Sequence, residues 1–203
     1  PGSFWEKSWE ILSRFTWQLP QTLIGFASAQ VVNLLGNVES VDYYGGATVI
    51  RTYSKNWGGI TQGSFIIGDN SIRADPNNRL FQHEYGHYLQ SQEMGWAYYS
   101  RVGIPSITSK GDHKLHPAEQ DANSRAFTYF NNHIENYSGW VHTGRNANTI
   151  VGYDQSRPYD NVGNQLALSN ALISAKWYDY ASWIIPVVGP VVVGFINSNQ
   201  YNN

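Results

Sequence analysis

His83 and His87 stand four positions apart with Glu84 directly after the first, in the segment Leu80-Phe81-Gln82-His83-Glu84-Tyr85-Gly86-His87-Tyr88-Leu89. On an α-helix, residues four apart lie one above the other, with Cβ atoms about 5–6 Å apart. Two imidazoles so placed can converge on one zinc ion at about 2.0–2.1 Å. A carboxylate one step round the helix reaches a water on the metal rather than the metal itself. The chemistry expected of the trio is hydrolysis, with zinc activating water and Glu84 taking its proton. A shuffled chain of this composition would contain the pattern about 0.006 times, so chance explains it poorly.

The elements must then aim these groups. Phe81, Tyr85, Tyr88, Leu89 and Gln92 fall on a different helix face from His83 and His87, so aromatics can pack while imidazoles face a cleft. Gly86 costs roughly 0.5–1 kcal/mol inside a helix, which local tolerance or a closely approaching neighbour would explain. Zinc with two histidines needs a third protein ligand. A motif extended by a third histidine would need it at position 93, which is Glu93. The segment 116–127 offers another solution. On a helix from Pro117, the residues Glu119, Ala122, Asn123, Ala126 and Phe130 share a small, apolar face with one carboxylate. Asn123 is placed to hydrogen-bond a ligating imidazole, and Asp121 points away. His113 and His116 are rival third ligands.

Around these segments the periodicity predicts helices over 4–36, divided near Pro20 and ending at Gly36, then a hairpin over 38–53 turning at Gly45-Gly46. A short strand is expected at 63–68. The motif helix should run from about Asn77 to Met94, and the next long helix from Pro117 to about Tyr137. Residues 138–164 read as irregular, 165–181 as helix or strand, and the apolar run from Trp183 to Ile196 as either. The fold class expected is α+β, mainly helical, with a small antiparallel sheet beside the motif helix. One domain over 1–203 is expected, with Pro1-Gly2-Ser3 reading as a tag remnant.

Composition narrows the function. The 203 residues carry 13 basic and 15 acidic side chains, a net charge of −2, so nucleic acid is not an expected partner. No cysteine is present, which excludes disulfides and thiolate chemistry. Aromatics at 15% exclude a disordered chain. The eight tryptophans read as core packing, and His133 and His142 as surface or capping residues. No signal peptide is apparent, and the Trp183–Ile196 run, broken by Pro and Gly, reads as a packed terminal element rather than a span; a membrane partner is not expected.

The motif with its downstream Glu119-x-x-Ala122-Asn123 resembles gluzincin-type zincin metallopeptidases. The stretches "FQHEYGHYLQSQEMGW", "VGIPS" and "HPAEQDANSRAFTYF" are similar to C-terminal domains of bacterial Rhs/YD-repeat proteins, whose variable domains often act as secreted toxins. The resemblance implies a zincin-like fold with His83, His87 and Glu119 as zinc ligands and Glu84 as general base, although the family often has an acidic residue where this chain has Asn123. It also implies a strand above the metal, antiparallel to bound substrate, for which Gly63–Gly68 stands at the right distance. The expected function is a zinc-dependent peptidase acting on peptide or protein substrates, the effector end of a protein secreted or delivered from a bacterial cell, with a cognate inhibitor protein as a further partner. His113, His116, Tyr153, Arg157 and Tyr159 are available to stabilise the oxyanion. The alternatives are a non-catalytic zincin-shaped binding module, or a hydrolase of a non-peptide amide or ester.

Overall fold

The computed structural model describes residues 4–137, 139–140 and 149–202; His142 lies outside them. The chain divides into two compact units, up to Trp96 and from Ala97. Together they are mixed α+β: among the described residues, eight α-helices and one sheet of four strands.

The first unit opens with helices α1 (Phe4–Phe15) and α2 (Leu19–Leu34). Pro20 sits in the first turn of α2, where its missing N–H costs nothing. Strands β1 (Val38–Tyr44) and β2 (Ala47–Thr52) form the expected hairpin, with positive φ at both Gly45 and Gly46. Strands β3 (Gly59–Gln62) and β4 (Phe65–Gly68) follow. The order is β1-β2-β4-β3. The sheet is not purely antiparallel, because β4 runs parallel to β2 and antiparallel to β3. The expected strand at 63–68 is therefore interior, paired on both sides. The edges are β1 and, on the β4 side, β3, a four-residue strand too short and too rich in Gly and polar residues to stand out in the sequence.

One face of this sheet packs on α2, through Ala29, Ile50 and Ile67 with Val32, Ile60 and Phe65. Gly25 makes that approach possible, since a Cβ there would lie 2.3 Å from the Gln62 carbonyl. The other face carries helix α3 (Arg79–Met94), the motif helix. Phe81, Tyr85 and Tyr88 are fully buried, their rings 5.2–5.4 Å apart in sequence, and Tyr44 of β1 packs edge-on against Phe81 and Tyr85. Tyr85 also donates its hydroxyl to the Gly45 carbonyl. This aromatic wedge fixes the rotation of α3 about its own axis and hence where the histidines face.

The second unit contains α4 (Ile104–Ile107), α5 (Pro117–His133), α6 (Val162–Ala171), α7 (Trp177–Ala181) and α8 (Val188–Tyr201). A π-helical turn at Tyr99–Gly103 precedes α4. It presents Arg101 to Asp179, fully buried, at 2.7 Å, and Ser100, Asn197 and the Lys176 N–H also donate to the carboxylate. A second cluster joins Phe127 of α5 to Ile150 and Leu168.

The C-terminal run forms a packed terminal element, as expected, with α8 against the π-turn and α4, but α8 buries Pro190, Gly194, Asn197 and Ser198 while Val188, Val192, Phe195 and Ile196 stay exposed. Its small residues, not its large ones, make the packed face: a Cβ on Gly194 would meet Ile104 at 2.7 Å. The expectation that the tryptophans pack in the core holds for Trp140, which packs against Phe127, but not for Trp5, Trp57, Trp96 and Trp177, which are exposed. Trp96 and Trp17 instead donate their indole N–H groups to the Thr16 and Glu93 carbonyls. No described helix is long and apolar enough to cross a membrane.

Candidate metal centre

Helix α3 starts at Asn78, whose Oδ1 accepts the Phe81 N–H at 2.9 Å, and ends at Gly95 with φ +51°. It buries Gln82, Glu84, His87, Gln90 and Ser91 alongside its aromatics. Buried polar groups are costly unless bonded, and these are bonded: Gln82 donates to the Pro76 carbonyl at 2.6 Å, and Ser91 to Gln18 at 3.0 Å.

His83 and His87 face the same way, their ring centroids 4.8 Å apart and nearly perpendicular. His83 is half-buried and His87 buried. His87 Nδ1 lies 2.7 Å from Gln90 Oε1. An amide oxygen can only accept, so Nδ1 is the donor here, and in the neutral ring that leaves the Nε2 lone pair for a metal. Gln90, one turn further along and fully buried, was not singled out in the sequence, although a polar residue three positions after a ligand is a visible signal.

Glu84 is 4% exposed. Thr61 of β3 donates its hydroxyl to Glu84 Oε2 at 2.7 Å, with the Glu84 carbonyl as a second acceptor at 3.0 Å. Gly59, two residues earlier on β3, makes room for the same side chain: a Cβ there would lie 2.8–2.9 Å from its Oε1, Cδ and Cγ. A charge-assisted hydrogen bond, about 1.5–3 kcal/mol, is enough to offset the roughly 1.5–2 kcal/mol of rotamer freedom that an ordered glutamate loses. Thr61 and Gly59 were invisible in the sequence because β3 itself was.

Glu119 belongs to the second unit, in the first turn of α5, and is 2% exposed. Ser106 of α4 donates to its Oε1 at 2.6 Å, and His113 Nε2 lies 3.5 Å from the same oxygen. The helix N-terminus also favours a negative charge here. His116 caps α5: its Nδ1 accepts the Ala118 N–H at 3.3 Å, and its Nε2 is buried without a hydrogen-bond partner. Its ring meets Tyr201 edge-on at 5.3 Å. Burial pushes the His116 imidazole below its ordinary value, the Glu119 charge opposing and His113 adding to the effect. His113 is over half exposed and bonded through Nδ1 to Ser109.

The remaining candidates are placed elsewhere in the second unit. Asp121 is tied to Arg125 at 2.9 Å and accepts the Ile173 N–H. Asn123 donates Nδ2 to the Thr149 carbonyl at 2.9 Å. Tyr153 and Tyr159 pack edge-on against Phe127, and burial raises the Tyr153 phenol. Arg157 pairs with Asp154 at the surface. His133 stacks on Tyr129. A cavity of about 520 Å³ between α5 and α6, lined by Leu115, Pro117, Val151, Leu166 and Ala171 among others, holds no titratable side chain.

The structure thus brings His83, Glu84 and His87 together on α3, against β3, and sets Glu119 in a buried first turn among Ser106 and His113. No protein-family model matches the chain, and no curated protein or solved structure is significantly similar to it.

Proposed function

We propose that the protein is a zinc-dependent peptidase, with His83, His87 and Glu119 each giving one ligand atom to the metal and Glu84 acting as general base. The observation that carries this reading is the edge-on pair of imidazoles on α3, one locked by Gln90 into the ligating tautomer, with a buried carboxylate between them in sequence. The donor set fits: two neutral imidazoles and one carboxylate are a ligand set of catalytic zinc, leaving a fourth position open. A zinc ion held by these residues would supply Lewis-acid chemistry, polarising a carbonyl and bringing the pKa of water down to about 7.

The chain's own residues do the rest. Glu84 takes a proton from the attacking water and returns it to the leaving amine nitrogen. Gln90 keeps the His87 ring oriented and its Nδ1 protonated. Ser106 holds the Glu119 carboxylate on one oxygen. The outer edge of β3, beside Glu84, is the site at which an extended substrate would add as a further strand through backbone hydrogen bonds. On this reading the domain is the effector end of a larger exported bacterial protein, and a cognate inhibitor would cover the same edge. That step rests on the sequence resemblance.

The test is metal analysis of protein purified without chelator, followed by cleavage of a peptide library with and without chelator. One equivalent of zinc and chelator-sensitive cleavage support the reading. Zinc without cleavage of any peptide overturns it in favour of a binding module. Production of the domain in a bacterial host tests the effector role: growth arrest that Glu84→Gln relieves is expected, and equal toxicity of both forms counts against it.

A further inference from the structure

We propose that strand β3 is a template for the general base: Thr61 holds Glu84 Oε2 and Gly59 berths the remainder of the carboxylate, so that Oε1 is the oxygen that takes and returns the proton. The inference rests on the hydrolytic reading above and names a positioning residue for it.

The alternation of side chains along β3 divides its four residues between two neighbours. Ile60 and Gln62 turn to α2, Ile60 in the apolar cluster and Gln62 on the Ser28 hydroxyl. Gly59 and Thr61 turn to α3, and both meet one residue there, Glu84. Thr61 and Glu84 are each about 5% exposed or less. A position that only filled space between strand and helix would be served by valine, which has the same shape and a higher preference for strands. The hydroxyl adds one donor, and its shorter contact, 2.7 Å against 3.0 Å to the Glu84 carbonyl, is with a carboxylate oxygen, which can only accept. Oε2 is thereby occupied, while Oε1 takes no hydrogen bond from the described residues. Gly59 acts with it, because any side chain at 59 would displace the Glu84 carboxylate. The same strand edge that would receive the substrate backbone thus also fixes the base, and a register shift of β3 would disturb both.

The experiment compares Thr61→Val with Thr61→Ser in zinc-loaded full-length protein. Thr61→Val should lower kcat about 10–100-fold with KM and zinc affinity unchanged, since a misplacement of about 1 Å can cost 10²-fold. Thr61→Ser, which keeps the donor, should recover most of the loss. A second readout needs no turnover. A peptide hydroxamate on the zinc donates a hydrogen bond to the base, so its affinity should fall in Thr61→Val and persist in Thr61→Ser. A third needs no metal: in crystals of the metal-free variants, Glu84 should leave its berth in Thr61→Val only. Parental kcat and hydroxamate affinity in Thr61→Val overturn the proposal. So do equal losses in both variants, which make Thr61 a packing residue. A parental protein that binds zinc and hydroxamate but cleaves no peptide sinks the peptidase reading alone and leaves the positioning role readable; one that takes up no zinc sinks the metal reading, and the crystals still decide where Glu84 rests.

Discussion

Helix α3 carries His83 and His87 beyond its first turn, where the backbone offers a ligand no electrostatic help, whereas α5 carries Glu119 inside its first turn, where the unpaired N–H groups favour an anion. On α3 the preparation comes from neighbouring side chains, Gln90 for His87 and Thr61 for Glu84. On α5 it comes mostly from the helix itself, with Ser106 added. A carboxylate at a helix N-terminus is settled whether or not a cation is near. An imidazole with one nitrogen spoken for is settled only as a particular tautomer. The two helices should therefore respond differently when side chains or metal are removed.

The largest effect separates the base from the ligands. Glu84→Gln should reduce kcat about 10²–10⁴-fold while the protein still binds one zinc, measured by metal analysis beside the cleavage assay. Cleavage at the parental rate would mean that Glu84 is not the base. Next come the ligands themselves. His87→Ala and Glu119→Ala should both abolish stoichiometric zinc, but they should differ in chelator. His87→Ala removes the partner of a fully buried amide oxygen and should cost the metal-free protein about 1–3 kcal/mol in a denaturant titration. Glu119→Ala should cost less, because the half-buried Ser106 hydroxyl can turn to water. If Glu119→Ala keeps its zinc and His113→Ala loses it, His113 is the third ligand. Smaller again is Gln90→Leu, for which zinc affinity should fall about 10–100-fold in a chelator competition, as for other outer partners of metal-bound histidines. Gln90→Glu, which restores an acceptor for Nδ1–H, should not weaken binding.

The same contrast explains how much the sequence disclosed. The histidine pair and the α3 face opposite it were legible because helical spacing alone places Phe81, Tyr85 and Tyr88 away from His83 and His87. The start of α5 at Pro117 was legible for a local reason too, a proline in a first turn. What depends on non-local pairing was not. Strand β3 has four residues, two of them Gly and Gln, and its place at the edge follows from β4 pairing parallel with β2, which no periodicity encodes. Thr61 was lost with it. The inverted burial of α8 was lost for a related reason: composition marks Val and Ile for the interior, but Pro190, Gly194 and Asn197 are what fit against the π-turn and α4.

The smallest effect concerns the caps. Helix α3 is capped by Asn78, an amide that does not titrate, and α5 by His116, which does. Burial holds the His116 imidazole below its ordinary value, which is about 6.5 in an unfolded chain. As pH falls through about 6.5 the unfolded chain takes up the proton first, so this contribution to stability is complete above that pH and is lost below it. The structural reason is direct: Nδ1 accepts the Ala118 N–H, and a protonated Nδ1 cannot. In chelator, so that metal and protons do not compete, the denaturation midpoint should fall between about pH 7.5 and pH 5.5, and the protection of the Ala118 amide, taken relative to its intrinsic exchange rate at each pH, should fall more than that of Phe81, whose cap is indifferent to pH. His116→Asn supplies a non-titrating cap acceptor and should flatten the dependence while leaving the Phe81 exchange rate as it was. An unchanged slope in that variant would assign the acid sensitivity to another group and leave the two caps equivalent.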